Sequence, residues 1–288
     1  MLTALTIKNE TSKKWYKKIV NKLKGNSVDV QLKSARGVSL RHITYTDRKG
    51  KIDWTRLNAM IGNQRNHLLC SEQIILPSKI GFRRFQNNEF KTRLASNLAI
   101  YILSKLDDKN IKVGLYDLKG EYTEILPYLV KYSANSVVVT ENSTAYEYEV
   151  NNIYEETGAT VQLTSNRIHL MDCPIVIAPE QICETLPLSG DTIVLSVSPP
   201  TVCTAGLVYY NYHFRMPNQF AEIKPPELSE EYFCGALYTK AGQFELDSIV
   251  PTICSNPIST QTRASILDYL QKTKEENTQT EEKAEIST

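Results

Sequence analysis

Apolar residues recur along this chain with two different periods, and the points where the period changes mark its elements. Leu2–Ile7 alternates and predicts a strand. Ser12 stands where an N-cap belongs, Trp15, Ile19, Val20 and Leu23 follow at helical spacing, and Gly25 is a stop signal. Val28–Leu32 and Leu40–Tyr45 alternate again, with a turn at Asp47–Gly50. Asp53 or Thr55 caps a short helix through Leu57, Met60 and Ile61 that ends near Gly62. Leu68–Cys70 and Ile74–Leu76 read as short strands, and Pro77 closes the second. From Asn87 or Asn88 onward, Phe90, Leu94, Leu98, Tyr101, Ile102 and Leu106 share one face of a helix expected to be well buried.

The most regular part of the pattern runs from Ile111 to Pro200. Val113–Leu118, Ser136–Thr140, Val161–Thr164, Ile175–Ala178 and Thr192–Val197 read as strands. Glu121–Tyr132 reads as a helix that Pro127 kinks or delays, and Thr144–Thr157 as a helix stopped by Gly158. Strands apolar on both faces, alternating with helices, imply a parallel sheet covered on both sides. After Pro199-Pro200 the pattern is weaker. Leu207–Phe214 reads as a Tyr-rich strand, Ser229 caps a helix through Leu237, and Ser259 or Thr260 caps a last helix through Leu270. Beyond Lys272 the composition is that of a disordered tail.

The fold class is therefore α/β: a Rossmann-like, mostly parallel sheet domain preceded by a small α/β domain. The expected boundaries are a small domain at 1–86, a connecting helix at 87–110, the Rossmann-like domain at 111–200, a C-terminal segment with a closing helix at 201–271 and a tail at 272–288.

Composition narrows the functional classes. With 41% apolar and 23% charged residues and a net charge of +1, nothing in the whole chain favours nucleic acid or a membrane. The charge is uneven, however. From Lys8 to Lys51 thirteen Lys or Arg face three acids, whereas Gln271–Thr288 carries five Glu against three Lys. Solvated faces account for both runs, and a nucleic-acid contact through the basic one is the alternative. The six cysteines form no CxxC pair, so zinc-ribbon spacing is absent and no metal is expected. No apolar run reaches the ~18 residues needed to span a bilayer. With no signal peptide read at the start of the chain, the expected compartment is the cytoplasm.

Three local features, Val137–Thr144, Gly158-Ala159 followed by Val161, and Met171–Pro179, resemble the second strand with its loop, the second helix end and third strand, and the strand before the nicotinamide pocket in the NAD(P)-binding domain of amino-acid-dehydrogenase-like proteins. Shikimate dehydrogenases and glutamyl-tRNA reductases belong to that group. The resemblance covers about a third of the chain and implies a substrate domain first, a connecting helix (Asn88–Leu106) and a returning C-terminal helix (Thr260–Leu270). It implies NAD(P) as cofactor.

The first turn departs from that pattern. A dinucleotide site wants G-x-G-x-x-G there, so that the pyrophosphate can approach the backbone at a helix N-terminus. This chain has Val113-Gly114-Leu115-Tyr116-Asp117-Leu118-Lys119-Gly120-Glu121-Tyr122, with Gly120 alone in the loop and Asp117 and Glu121 placing negative charge where phosphates belong. NAD(P) is thereby disfavoured. A class I methyltransferase, with Asp117, Gly120 and Glu141 around S-adenosylmethionine, is another reading, and a plain strand-to-helix turn is a third.

The candidate ligand cleft beyond the carboxyl ends of the strands comprises Asp117, Lys119, Gly120, Glu141, Asn142, Pro179 and Ser198. Lys79, Arg83 and Arg84 are candidate anion ligands, with salt bridges or a solvated loop as the plainer reading. The histidines, His42, His67, His169 and His213, are isolated in sequence, and no catalytic residue is named. The expected function is that of a diverged, non-catalytic or ligand-binding member with a small-molecule or protein partner. The alternatives are an oxidoreductase of the shikimate-dehydrogenase type, a methyltransferase or a nucleic-acid-binding module.

Overall fold

The structure, a computed structural model, describes residues 1–10, 24–106 and 108–286, with side chains as far as residue 274. The helix expected from Ser12 to Leu23 lies outside the described residues. The chain forms two compact units, Met1–Phe90 with Arg215–Leu246, and Lys91–Phe214 with Asp247–Thr288.

The first unit is built on a four-stranded sheet, β1 (Leu2–Asn9), β2 (Ser27–Ala35), β3 (Val38–Asp47) and β4 (Leu69–Cys70), in the order β2-β3-β1-β4. β1 pairs parallel with β3 over its whole length, and β2 and β3 form an antiparallel hairpin. Helix α1 (Trp54–Ile61) starts where expected, because the Asp53 carboxylate accepts from the Arg56 N–H at 3.0 Å. Its Leu57 and Ile61 pack with Leu5, Ile43, Tyr45 and Phe82 in one buried cluster. The buried Tyr45 hydroxyl accepts from Asn26 Nδ2 at 2.8 Å and from the Asp53 N–H at 2.9 Å, so its polar end is satisfied.

Ile74–Leu76 is not a strand. Among the described residues no neighbouring strand pairs with it, and the Arg84 guanidinium takes the carbonyls of Ser71, Glu72 and Ile74 at 2.8–3.1 Å. The segment is a loop pinned by a side chain.

The second unit begins in helix α2 (Asn88–Leu106), whose Leu94, Leu98 and Ile102 are fully buried. It contains six parallel strands: β5 (Lys112–Tyr116), β6 (Asn135–Val139), β7 (Val161–Thr164), β8 (Ile175–Ala178), β9 (Ile193–Ser196) and β10 (Leu207–Tyr209), in the order β10-β9-β8-β5-β6-β7. Counted from β5, this is the order 3-2-1-4-5-6 of a Rossmann sheet. β8 and β9 are buried at every position, as their continuous apolar runs require.

The helices are less complete than the strands. Where a helix is expected over Glu121–Tyr132, a 3₁₀ turn at Thr123–Ile125 leads into α3 (Leu126–Val130), only five residues long. Pro127 sits in its first turn, where the missing N–H costs nothing, so the helix starts there rather than running through it. Helix α4 (Ser143–Thr157) is full length and ends on Gly158 at φ +71°. Between β7 and β8 the crossover is a single 3₁₀ turn, Arg167–Leu170.

Leu207–Phe214 is not one strand. Its first half is β10, and its second half, β11 (Asn211–His213), joins a separate antiparallel sheet with β12 (Ile253–Ser255) and β13 (Thr260–Thr262). The first unit also holds α5 (Glu230–Ala241), capped by Ser229 as expected. The last helix, α6, runs Arg263–Ile286 and continues through the polar stretch expected to be disordered. Glu, Lys, Gln and Ala there are good helix formers even without an apolar face.

Candidate functional site: the carboxyl edge of the parallel sheet

β5 and β8 are neighbours in the sheet, but their continuations lead to opposite sides, β5 toward β6 and β8 toward β9. The loops after them diverge and leave a crevice, the place where open α/β sheets bind ligands. The domain is Rossmann-like. The loop Asp117–Tyr122 lies at this crevice.

Asp117 ends β5 with its backbone still in the sheet, its N–H bonded to the Val139 carbonyl at 3.0 Å. Its side chain is fully buried and folds back under its own loop. Oδ1 accepts from the N–H groups of Gly120 (3.1 Å) and Glu121 (3.2 Å), and Oδ2 accepts from the Tyr122 N–H at 2.9 Å. The Tyr146 hydroxyl, from α4, donates to Oδ2 at 2.6 Å. Consecutive N–H groups converging on an anion are what a phosphate loop presents to pyrophosphate. In this chain the anion is supplied by the loop itself.

Two further features fix this arrangement. Gly120 has φ +71°, and a Cβ there would lie 2.7 Å from Ala145 Cβ and 3.2 Å from the Asn142 carbonyl, so the loop is pressed against the start of α4. The helix that should follow a phosphate loop starts only at Leu126 and is five residues long, so no helix N-terminus points into the loop.

The crevice is also bridged. The Lys119 N–H donates to Glu180 Oε1 at 3.0 Å, and its ammonium lies 3.2 Å from Oε2, joining the loops after β5 and β8. Burial pushes the Glu180 carboxyl above the ordinary glutamate range, and the adjacent Asp117 adds to this, against the pull of the Lys119 N–H and ammonium. A second bridge runs alongside. Arg167 donates to Glu141 at 2.7 Å and to Glu184 at 2.9 Å, and Glu184 accepts from the Tyr116 hydroxyl at 2.7 Å. That hydroxyl bond, with the Arg167 guanidinium, holds Glu184 below the usual glutamate range despite some burial.

The structure thus brings the predicted cleft residues to one edge, in unlike roles. Asp117 and Gly120 form the closed loop, and Lys119 and Glu141 are bridge ends. Asn142 Nδ2 donates to the Lys119 carbonyl at 3.0 Å. Pro179 is buried at the end of β8, and the Ser198 carbonyl accepts from Ser196 Oγ at 3.0 Å. Sequence reasoning missed Tyr146, Arg167, Glu180 and Glu184. Glu180 directly follows Pro179. Glu184 lies four residues beyond Glu180 on the same loop, whereas Tyr146 and Arg167 are brought in by the connections after β6 and β7, and no local spacing marks them.

Lys79, Arg83 and Arg84 belong to the first unit. Arg84 Nη2 is committed to the three carbonyls of the 71–74 loop, while Lys79 and Arg83 are exposed. The same unit contains an open pocket of about 470 Å³, lined by Leu5, Thr6, Ile7, Ile52, Ile74 and Glu227 among others. Thr6 Oγ1 donates to Glu227 Oε2 at 3.1 Å and lies 2.8 Å from His42 Nε2. Burial lowers the His42 imidazole below its ordinary value, and the Glu227 carboxylate opposes this. Among the described residues no three His, Cys, Asp or Glu are placed to hold a metal ion, and no helix is long and apolar enough to cross a membrane.

No protein-family model and no curated protein matches the chain. Among solved structures it is similar to the Δ1-pyrroline-2-carboxylate reductase of Thermococcus litoralis in complex with NADH and L-proline (15% identity, 37% of this chain and 36% of that one, TM-score 0.28). It is similar also to the L-tryptophan dehydrogenase of Nostoc punctiforme (12% identity, 93% and 79%, TM-score 0.32) and to a probable ornithine cyclodeaminase of Bordetella pertussis Tohama I (12% identity, 66% of each chain, TM-score 0.25). The matched part thus spans about a third of the length of the first. Scores this low add nothing to the fold assignment, which rests on the strand order of the sheet.

Asp117→Ala is expected to destabilise the protein by about 3–5 kcal/mol, because it strands several buried donors at once. Urea unfolding measures this, and a loss under about 1 kcal/mol would show that the carboxylate does not organise the loop. Glu184 has a folded value below its ordinary one of 4.5. The stability it contributes is present above that ordinary value and is lost as pH falls through the lowered folded value. Glu184→Gln should therefore lower Tm at neutral pH, with the gap to wild type closing in acid.

Proposed function

We propose that this chain is a diverged Rossmann-like protein that binds no dinucleotide and works by holding a small ligand rather than by transferring hydride. The observation that carries this reading is the Asp117 carboxylate on the N–H groups of Gly120, Glu121 and Tyr122. A pyrophosphate entering the same place meets a buried negative charge and no free donors. Displacing Asp117 strips it of four hydrogen bonds, the Tyr146 bond included, and such charge-assisted bonds contribute about 1.5–3 kcal/mol each. A dinucleotide binding there spends much of its affinity on that displacement.

On this reading the ligand site lies in the first unit. The pocket around Thr6 and Glu227 combines an apolar floor with one exposed carboxylate and one buried hydroxyl. That lining suits a small molecule with an apolar body and a cationic or hydrogen-bond-donating group. His42 and Thr6 are already engaged with each other, so their role is to hold Glu227 in place rather than to act as a base.

Thermal-shift and calorimetric titrations with NAD(H), NADP(H) and S-adenosylmethionine are expected to show no binding. Micromolar stabilisation by either dinucleotide would restore the oxidoreductase reading, and stabilisation by S-adenosylmethionine alone would favour the methyltransferase. A panel of amino acids and amines should give hits that Glu227→Gln abolishes. Hits unchanged by that substitution would place the ligand elsewhere.

A further inference from the structure

Among the described residues the hairpin β2–β3 leaves one long strand edge unpaired. Among the described residues β2 pairs with β3 alone and forms the border of its sheet. A nine-residue border strand is normally short of apolar groups or blunted by a bulge or proline. β2 has no proline and pairs with β3 without a bulge; its charges, Asp29 and Lys33, lie on one face, while on the other Val30 is 42% exposed and Leu32 72% exposed. Val28, Val30 and Leu32 lie on the same face as their cross-strand partners Tyr45, Ile43 and Arg41, so they prolong the buried cluster of the unit outward to a free edge.

The direction of the backbone groups follows from the turn. Ala35 pairs with Val38 across a two-residue turn, Arg36-Gly37, in which both residues have positive φ (47° and 77°), the pattern of a type I′ hairpin. In such a hairpin the closing pair is hydrogen-bonded, and the bonding alternates away from it. Ala35, Lys33, Gln31 and Asp29 therefore direct their N–H and C=O groups to β3. Ser34, Leu32, Val30 and Val28 present theirs to the open edge.

We propose that this edge pairs with β2 of a second copy of the chain, antiparallel about a two-fold axis at Gln31, to make one continuous sheet across a homodimer. In that register Val30 faces the partner's Leu32, and both carry outward backbone groups, as a hydrogen-bonded antiparallel pair requires. The apolar side chains meet on one face. On the other, Asp29 comes opposite the partner's Lys33 and Lys33 opposite the partner's Asp29, so the charges complement each other twice. Among the described residues these groups make light, exposed contacts. Gln31 Nε2 donates to Asp29 Oδ2 at 3.0 Å, and Lys33 Nζ reaches the Glu222 carbonyl at 3.4 Å. A strand whose charge pattern is its own antiparallel complement fits a copy of itself better than an unrelated edge.

Sedimentation or light scattering of the full chain at micromolar concentrations should give a dimer, and Leu32→Lys should make it a monomer with an unchanged Tm for the isolated chain. Asp29→Lys and Lys33→Asp each place like charges opposite one another twice and should weaken the dimer roughly tenfold. The double variant Asp29→Lys/Lys33→Asp should restore it, and an equimolar mixture of the two single variants should form a heterodimer. A wild-type chain that stays monomeric overturns the proposal. So does a dimer insensitive to Leu32→Lys, or single variants that the double substitution and the mixture both fail to rescue.

Discussion

A single buried carboxylate organises the carboxyl edge of the parallel sheet. Asp117 is the residue at which β5 stops, and its two oxygens collect three consecutive loop N–H groups and one tyrosine hydroxyl. A charge in so low a dielectric is tolerated only when its hydrogen-bonding capacity is filled. The other features of the edge are consistent with that requirement. Gly120 takes the left-handed backbone that lets the chain curl around the carboxylate, and α4 brings Tyr146 to close it. The first turn of the expected helix is given up, because its N–H groups already point at Asp117.

Seen this way, the loop keeps the electrostatic logic of a phosphate site with the ligand built in. A Rossmann loop is stable when an anion sits on its N–H groups, and in a cofactor enzyme that anion is supplied by binding. Here it is covalently part of the chain and always present. The Lys119–Glu180 and Arg167–Glu141–Glu184 bridges then tie together loops that a dinucleotide would otherwise cross-link. Side chains of the chain itself thus contribute free energy to holding these loops together.

Much of this was legible in the sequence. Val137-Val138-Val139 and Ile175-Val176-Ile177 are apolar on both faces because β6 and β8 are interior strands, and Gly158 and Ser229 marked helix ends correctly. The single glycine flanked by Asp117 and Glu121 marked the loop as a departure from G-x-G-x-x-G, and Gly120 does take the left-handed backbone there. What sequence could not give was the sense of the charge. Asp117 was read as facing an incoming ligand, whereas it faces inward, and nothing in residue spacing distinguishes the two. Tyr146 and Arg167 lie 29 and 26 residues from the groups they bind, Asp117 and Glu141, and only the crossovers bring them together. Ile74–Leu76 failed for a related reason, since an apolar triplet becomes a strand only where a neighbour offers hydrogen bonds, and Arg84 had taken its carbonyls instead.

The most direct measurement is amide hydrogen exchange at Gly120, Glu121 and Tyr122 in the free protein, with and without pyrophosphate. If Asp117 holds these groups, all three exchange slowly without any ligand, lose their protection in Asp117→Ala, and do not respond to pyrophosphate in the wild type. Rapid exchange in the free protein that slows when pyrophosphate is added would mean an open phosphate loop and would contradict the account.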